Sequence, residues 1–352
     1  MCNTSGLTIF DLHSDIPADI VARRASGEHA VFQNRHARRL MDHGVKAAIL
    51  ALWVEPAYRA NAARRILQIA GALRADLAES TACVQLVTDV NELLDCIASG
   101  KFAVMLGVEG MTFIEQWPVF HDGWRPTSLG LQFDQLRNEQ CAQSLGILKA
   151  LGLRHAILVW GGQNELASGP GQFYDPDARQ GLTDFGRAVV QACERSNIVI
   201  DVSHLDEAST TDVLEATEGV VIASHSNARA LCNHPRNLSD AHLRRIGERQ
   251  GVVGINSYAR FVDADHATVD RFIDHIVYIA NLIGIEHVGL GFDFMDYLPD
   301  SFGFPERTDG LARVEDVPRL IERLYARGFN DEEIAMLTFR NAARVMSRPN
   351  VQ

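Results

Sequence analysis

The histidines and carboxylates of this chain recur at the ends of short apolar runs, in numbers and types suited to binding divalent cations. The first run, TIFDLHSD, ends in a His-x-Asp pair, His13 and Asp15. In extended backbone, residues two apart share a face, so the two can hold one cation together. The run FAVMLGVE places Glu109 after a continuous apolar stretch. A carboxylate buried there is costly unless it is paired, protonated or bound to a metal. IVIDVSH ends in His204, VVIASH in His225 and VGLGFD in Asp293. Taken singly, each histidine is more often a hydrogen-bonded structural residue than a ligand. Asp293 alone reads also as a carboxylate that orients a ligand histidine.

The elements that must position these residues alternate along the chain. Eight β-branched runs stand at 7–13, 45–53, 102–109, 154–160, 197–204, 219–225, 251–257 and 287–293. Stretches of helical periodicity lie between them. In 61–79, Ile66, Ile69, Leu73 and Leu77 recur at spacings of three and four, and 270–284 repeats the pattern through Phe272, Ile273, Ile276, Val277, Ala280 and Ile283. Such alternation predicts βαβ units with a parallel sheet, and eight of them predict an α/β fold of the (β/α)8 TIM barrel type. The alternative, a doubly wound open sheet, lacks a GxGxxG after any strand. Gly-, Pro- and Asp-rich stretches at 116–137, 161–181 and 294–310 are expected to form loops over the catalytic mouth, and 331–346 a terminal helix capped by Asn330 or Asp331.

A barrel gathers its active site at the C-terminal ends of its strands, which is where all six residues fall. Together they read as a metal site. Three histidines and two carboxylates are too many for one open catalytic metal, while Glu109 can bridge two, so a binuclear centre follows. Two cations can hold a bridging hydroxide at neutral pH and polarise a carbonyl, the chemistry of amide hydrolysis. Asp293 would take the proton from that water and pass it to the leaving amine.

Composition limits the partners. Of 352 residues, 47% are hydrophobic and 22% charged, enough for a large core and too apolar for disorder. Lys and Arg number 33 against 45 Asp and Glu, for a formal charge of -12, so no basic face exists to track nucleic acid. No apolar run reaches the roughly 20 residues a bilayer needs, so no membrane partner is expected. The start MCNTSG has neither the basic nor the apolar part of a secretory signal. Cys2, Cys83, Cys96, Cys141, Cys193 and Cys232 form no CxxC pair, and reduced thiols in a cytoplasmic protein are the expectation. With no repeat and no linker, residues 1–352 read as a single domain.

On these motifs the chain resembles the membrane (renal) dipeptidase family of the amidohydrolase superfamily. The matching stretches are DLHSDIP (11–17), GVEG (107–110), GLTDFGR (181–187), IDVSH (200–204), ASHSNARALCNHPRN (223–237), HVGLGFDF (287–294) and RNAARV (340–345). The resemblance implies a binuclear zinc barrel that hydrolyses small dipeptides, often with a D-residue or glycine at the C-terminal position. It implies that His13, Asp15 and Glu109 hold one zinc, and Glu109, His204 and His225 the other. His and carboxylate ligands also accept Mn, Co or Fe. Arg236 of HPRN matches the residue that pairs with the substrate carboxylate, a bidentate task for a guanidinium. Tyr258 of INSY matches a substrate-contacting tyrosine, or else packs in the barrel. A homodimer is an expectation carried over from such barrels. One position departs from the pattern: the family reads LTH at the end of the fourth strand, where this chain reads Leu158-Val159-Trp160. An indole N–H donates but carries no charge, so Trp160 replaces only part of the polarising role of a histidine. Two alternatives to a dipeptidase follow: a catalytically weakened barrel serving as a binding or biosynthetic accessory protein, or a hydrolase of another small amide or lactam.

Overall fold

The computed structural model describes residues 7–117, 133–170, 181–298 and 306–347. Cys2 and parts of all three expected loops, at 118–132, 171–180 and 299–305, lie outside the described residues. The strands are β1 (Ile9–Ser14), β2 (Val45–Trp53), β3 (Val84–Leu86), β4 (Phe102–Glu109), β5 (Leu153–Ile157), β6 (Val199–Asp201), β7 (Val221–Ile222), β8 (Val253–Ile255) and β9 (Val288–Leu290). Every ladder is parallel, and the main sheet runs β1-β2-β4-β5-β6-β7. β8 pairs with β9, and a single parallel bridge, Ala223 to Val253, joins that pair to the end of β7. Each of the eight runs overlaps one of these strands, with β1 ending one residue past its run and β5 starting one residue before its own.

The ninth strand, β3, is an addition. β5 pairs with β4 only from Leu106 onward, which leaves the edge at Phe102–Val104 open, and β3 covers it. Three residues of VQL carry too little periodicity to be seen in sequence.

The sheet is buried on both faces, and alternate residues of each strand serve different cores. In β4, Phe102, Val104, Leu106 and Val108 pack in the larger cluster with helix residues such as Ile66, Leu73, Phe272 and Ile276. Ala103 and Met105 of the same strand join Phe10, Leu12, Ala47, Ile49, Val199, Ile222 and Val252 in a second cluster. Six different strands or their flanks contribute to this second group, which requires the sheet to curl around it. Val345 and Met346 of the terminal helix pack into it as well.

The helices at 61–79 and 270–284 form as Ala62–Glu79 and Val269–Ile283, each with one buried face. The terminal stretch begins at Asn330, whose side chain accepts from Glu332 and Glu333 N–H while Glu333 reaches back to the Asn330 N–H. It then widens into a π turn over Met336–Arg340 before resuming at Asn341–Ser347. The loop expected over 116–137 is shorter at its far end, because a helix starts at Phe133 and runs to Ala150. No helix among the described residues is long and apolar enough to cross a membrane. Cys83, Cys96, Cys141, Cys193 and Cys232 are all free thiols.

Candidate metal centre

Glu109 continues the inward-facing series of β4 that begins with Ala103 and Met105, so strand alternation alone delivers it to the mouth of the curled sheet. Gly110 then turns the chain away at φ +82°, and a Cβ there would stand 3.2 Å from Cβ and 3.3 Å from the backbone N of Trp160. A side-chain-bearing residue would be strained there and would press on Trp160.

His13 and Asp15 meet by a different route from the one expected. Phe10 and Leu12 face the inner core, which would turn His13 outward. The register of β1 on β2 shifts between Asp11 and Ser14, and this irregularity brings His13 inward. Asp15 lies past the strand end, at the N-cap of helix Ile16–Ala25, yet its side chain makes no capping bond. It points to His13 instead, with Nε2 to Oδ1 at 3.7 Å.

His204 and His225 follow β6 and β7. Their Nε2 atoms lie 3.0 Å apart, and at 2.9 Å and 3.5 Å from the same oxygen, Glu109 Oε1. His13 Nε2 stands 3.6 Å from that oxygen and 4.0 Å from Asp293 Oδ1. Thus all six residues converge from five strands. Two overlapping groups have one ligand atom each within 4.8 Å of one another, His13 with Glu109 and His225, and His13 with Asp15 and Asp293. His204 and Asp293 hold left-handed backbone, φ +66° and +56°, at a cost on the order of 1 kcal/mol each.

The electrostatics suit a centre that receives a cation. Burial disfavours charge on His13, but Glu109, Asp15 and Asp293 outweigh it and push its pKa up to about 10. Burial drives the Glu109 carboxyl well above its ordinary range, and drives His204 and His225 well below theirs, helped by Arg236 and His13. Burial also raises Asp293 to about 6, with Asp15 adding to the effect and His13 opposing it. Both ring nitrogens of His13 and Oδ1 of Asp15 are buried with no hydrogen-bond partner. Such orphaned polar atoms are rare in native interiors, and a divalent cation would satisfy the Asp15 oxygen and one nitrogen of a neutral His13 ring while placing positive charge among the carboxylates. The donor set of imidazole and carboxylate fits zinc and its neighbours in the first transition row.

Asp293 is further held by Asn256, whose Nδ2 donates to Oδ2 at 3.0 Å. Ser224 Oγ and His225 Nδ1 lie 2.8 Å apart, which leaves Nε2 facing the centre. Three supporting residues escaped the sequence reading because they sit inside the apolar runs. Asp11 is one. Its Oδ1 accepts from the N–H of His13 at 3.3 Å and of Phe292 at 2.9 Å, tying the two chain segments that carry His13 and Asp293. Asp201 and His155 are the others, fully buried and joined by a 2.6 Å bond. Burial would raise the Asp201 carboxyl, yet His155, the Ser224 side chain and the Ser203 N–H hold it below the usual range.

Around the polar floor stands an apolar wall. A pocket of about 70 Å³ is lined by Asp15, Glu109, His204 and Asp293 below, and by Trp53, Trp160, Tyr258, Phe261, Met295 and Leu298. Trp160 meets Trp53 edge-on at 4.9 Å, and the Arg59 guanidinium lies 5.6 Å from its ring while donating to its carbonyl at 2.6 Å. Asn164 supports the loop after Trp160, donating to Leu158 O and accepting from Leu166 and Ala167 N–H. Tyr258 lines the pocket and donates its hydroxyl to Glu306 at 2.7 Å. Arg236 is buried, with contacts of 3.5 Å to Ser226 Oγ and 3.4 Å to His225 O, and its Nε has no partner. Burial lowers its pKa to about 10, so it stays charged at neutral pH.

The sequence matches the family described as Membrane dipeptidase (Peptidase family M19) over residues 4–120 and 134–351. It is 35% identical over 208 residues to dipeptidase aclJ of Aspergillus oryzae, a stretch covering 58% of this chain and 47% of that protein. The matched region is therefore about half the length of that relative. Among solved structures, the dipeptidase AC, an M19 metallo peptidase, superposes with a TM-score of 0.80 at 23% identity, covering 98% of this chain and 99% of the other. A metallo peptidase from Rhodobacter sphaeroides, liganded with a phosphinate mimic of the dipeptide L-Ala-D-Ala, gives 0.80 at 22% identity over 97% and 99%. At these identities the structural likeness establishes the shared fold. With the family match spanning nearly the whole sequence, this chain belongs to the membrane dipeptidase family, peptidase family M19.

Proposed function

We propose that this chain hydrolyses small dipeptides with two divalent cations, zinc by the family resemblance, held by His13, Asp15, Glu109, His204 and His225. The observation that carries this reading is the buried set of orphaned ligand atoms on His13 and Asp15, beside a Glu109 oxygen that two further histidines share. The Rhodobacter sphaeroides metallo peptidase bound to a dipeptide mimic supports the substrate class. Divalent cations bound there polarise a carbonyl and lower the pKa of a water. The chain's own residues do the rest. Asp293, aimed by Asn256, accepts a proton at its carboxylate and returns it to the leaving amine. Arg236 keeps an unpaired Nε and a full charge near neutrality, and it receives the substrate carboxylate. Trp53, Trp160, Phe261, Met295 and Leu298 exclude water from the reacting bond.

The same reading takes residues 1–352 as one (β/α)8 barrel domain. Its closure lies between β9 and β1, where the Phe292 N–H reaches Asp11 and a Cβ on Gly289 would stand 3.0 Å from Leu12.

The experiment is metal content together with hydrolysis of L-Ala-D-Ala, L-Ala-Gly and L-Ala-L-Ala. About two cations per chain with turnover supports the proposal, and the L-D to L-L ratio gives the stereochemistry. Cations without turnover on any dipeptide would favour another small amide or lactam, or an accessory role, and would direct attention to Trp160. No bound cation would overturn the reading.

A further inference from the structure

Behind the proposed centre, one carboxylate reaches both histidine-bearing turns. Asp201 is the last residue of β6 and is fully buried. Its Oδ1 accepts from Ser203 N–H at 2.7 Å and from Ser224 N–H at 3.1 Å. Those two residues immediately precede His204 and His225. Its Oδ2 is 2.6 Å from Nε2 of His155, also fully buried, on the neighbouring strand β5. Ser203 extends the connection, since its Oγ accepts from His225 N–H at 3.2 Å and lies 3.3 Å from Ser226 Oγ. Arg236 contacts Ser226 Oγ in turn. Room for the His155 ring comes from Gly107 on β4, where a Cβ would stand 2.5 Å from Nδ1.

We infer that Asp201, oriented by His155, is a positioning residue that sets the aim of His204 and His225 together. β6 and β7 pair over only two residues, Ile200 to Val221 and Asp201 to Ile222, so the ladder ends before either histidine. Past that point the two turns are joined by Asp201, by the Ser203 hydroxyl and by the Val202 N–H to Ile222 bond. His204 also holds a left-handed backbone that needs support from its surroundings. An amide at position 201 would keep the shape. It would offer the two backbone N–H groups a neutral acceptor, or, if rotated, a repelling NH2.

The inference rests on the proposed cation site, and the test separates the two. Zn2+ affinity is measured by chelator competition, and Co2+ binding by visible absorption, on the full chain at a temperature well below unfolding. Asp201→Asn is expected to weaken binding by about 10- to 100-fold, the usual effect of losing an outer partner of ligand residues, and to alter the Co2+ bands. His155→Gln, which keeps the carboxylate but loosens its orientation, is expected to weaken binding less. Asp76→Asn is the control. Asp76 is an equally buried carboxylate on the helix Ala62–Glu79, holding Val31 and Phe32 N–H at 2.8 Å each and pairing with Arg24 at 3.1 Å. It should lower thermal stability while leaving affinity and spectrum unchanged. Wild-type affinity and spectrum in a folded Asp201→Asn protein would overturn the inference. So would equal weakening by Asp76→Asn, which would reduce the effect to general loss of stability. If Asp201→Asn does not fold, His155→Gln decides the matter by the same criteria. A wild-type chain that binds neither cation would instead overturn the proposed function itself.

Discussion

Asp293→Asn isolates proton transfer from cation binding, because the structure lets the amide take over the geometry of the carboxylate. Asp293 Oδ2 accepts from Asn256 Nδ2 at 3.0 Å, and an asparagine oxygen can accept the same bond. Its NH2 then occupies the place of Oδ1, 4.0 Å from His13 Nε2, where it fits sterically but cannot accept a proton. General acid–base catalysis contributes about 10²- to 10⁴-fold, or roughly 3–5 kcal/mol of barrier. Turnover on a dipeptide should fall by that factor, while cation stoichiometry stays at the wild-type value. The pH profile gives a second readout. Asp293 works as the carboxylate, so kcat/KM should fall as pH drops through its pKa. Burial puts that pKa at about 6, and bound cations bring it lower, so the acid limb should lie at or below about pH 6. In the variant this limb should vanish or move. A cation-loaded Asp293→Asn protein with near-normal turnover and an unchanged acid limb would remove Asp293 from the proton path.

Other expectations follow from the same geometry. Trp160→His should raise dipeptide turnover if the indole weakens oxyanion polarisation, by up to about a hundred- to thousandfold, the usual cost of a missing donor. No change would mean that Trp160 belongs to a different substrate. Arg236→Lys removes a planar fork and should raise KM by about 10- to 100-fold for a dipeptide with a free carboxylate, but not for its C-terminal amide. Equal effects on both would refute the anchoring role. Gly254→Ala would drive a Cβ to 1.9 Å from Ser224 O, just before His225. About 3 kcal/mol of stability should be lost, as measured by urea unfolding, the upper end of ordinary overpacking. Asp201 has its pKa lowered in the folded protein, so its contribution is complete above the unfolded value and is lost as pH falls through the folded one. Unfolding free energy should therefore drop more steeply below roughly pH 4 in the wild type than in Asp201→Asn.

Much of the centre was legible from residue types at strand ends, because a parallel barrel-like sheet converts position along each strand into position at one mouth. The eight apolar runs, the two amphipathic helices and the placing of Glu109, His204, His225 and Asp293 at strand ends follow from period-2 and period-3.6 patterning. Glu109 is the clearest case, since simple alternation along β4 aims it inward. Tertiary structure alone decided the rest. His13 faces the centre because β1 slips in register on β2, and Asp15 because a helix starts beneath it, neither of which a local pattern encodes. The supporting carboxylates Asp11 and Asp201 hold N–H groups of chain segments on other strands, up to 281 residues away. A hydrogen bond of that reach leaves no periodic trace, because it depends on which strands lie side by side and not on spacing along one of them.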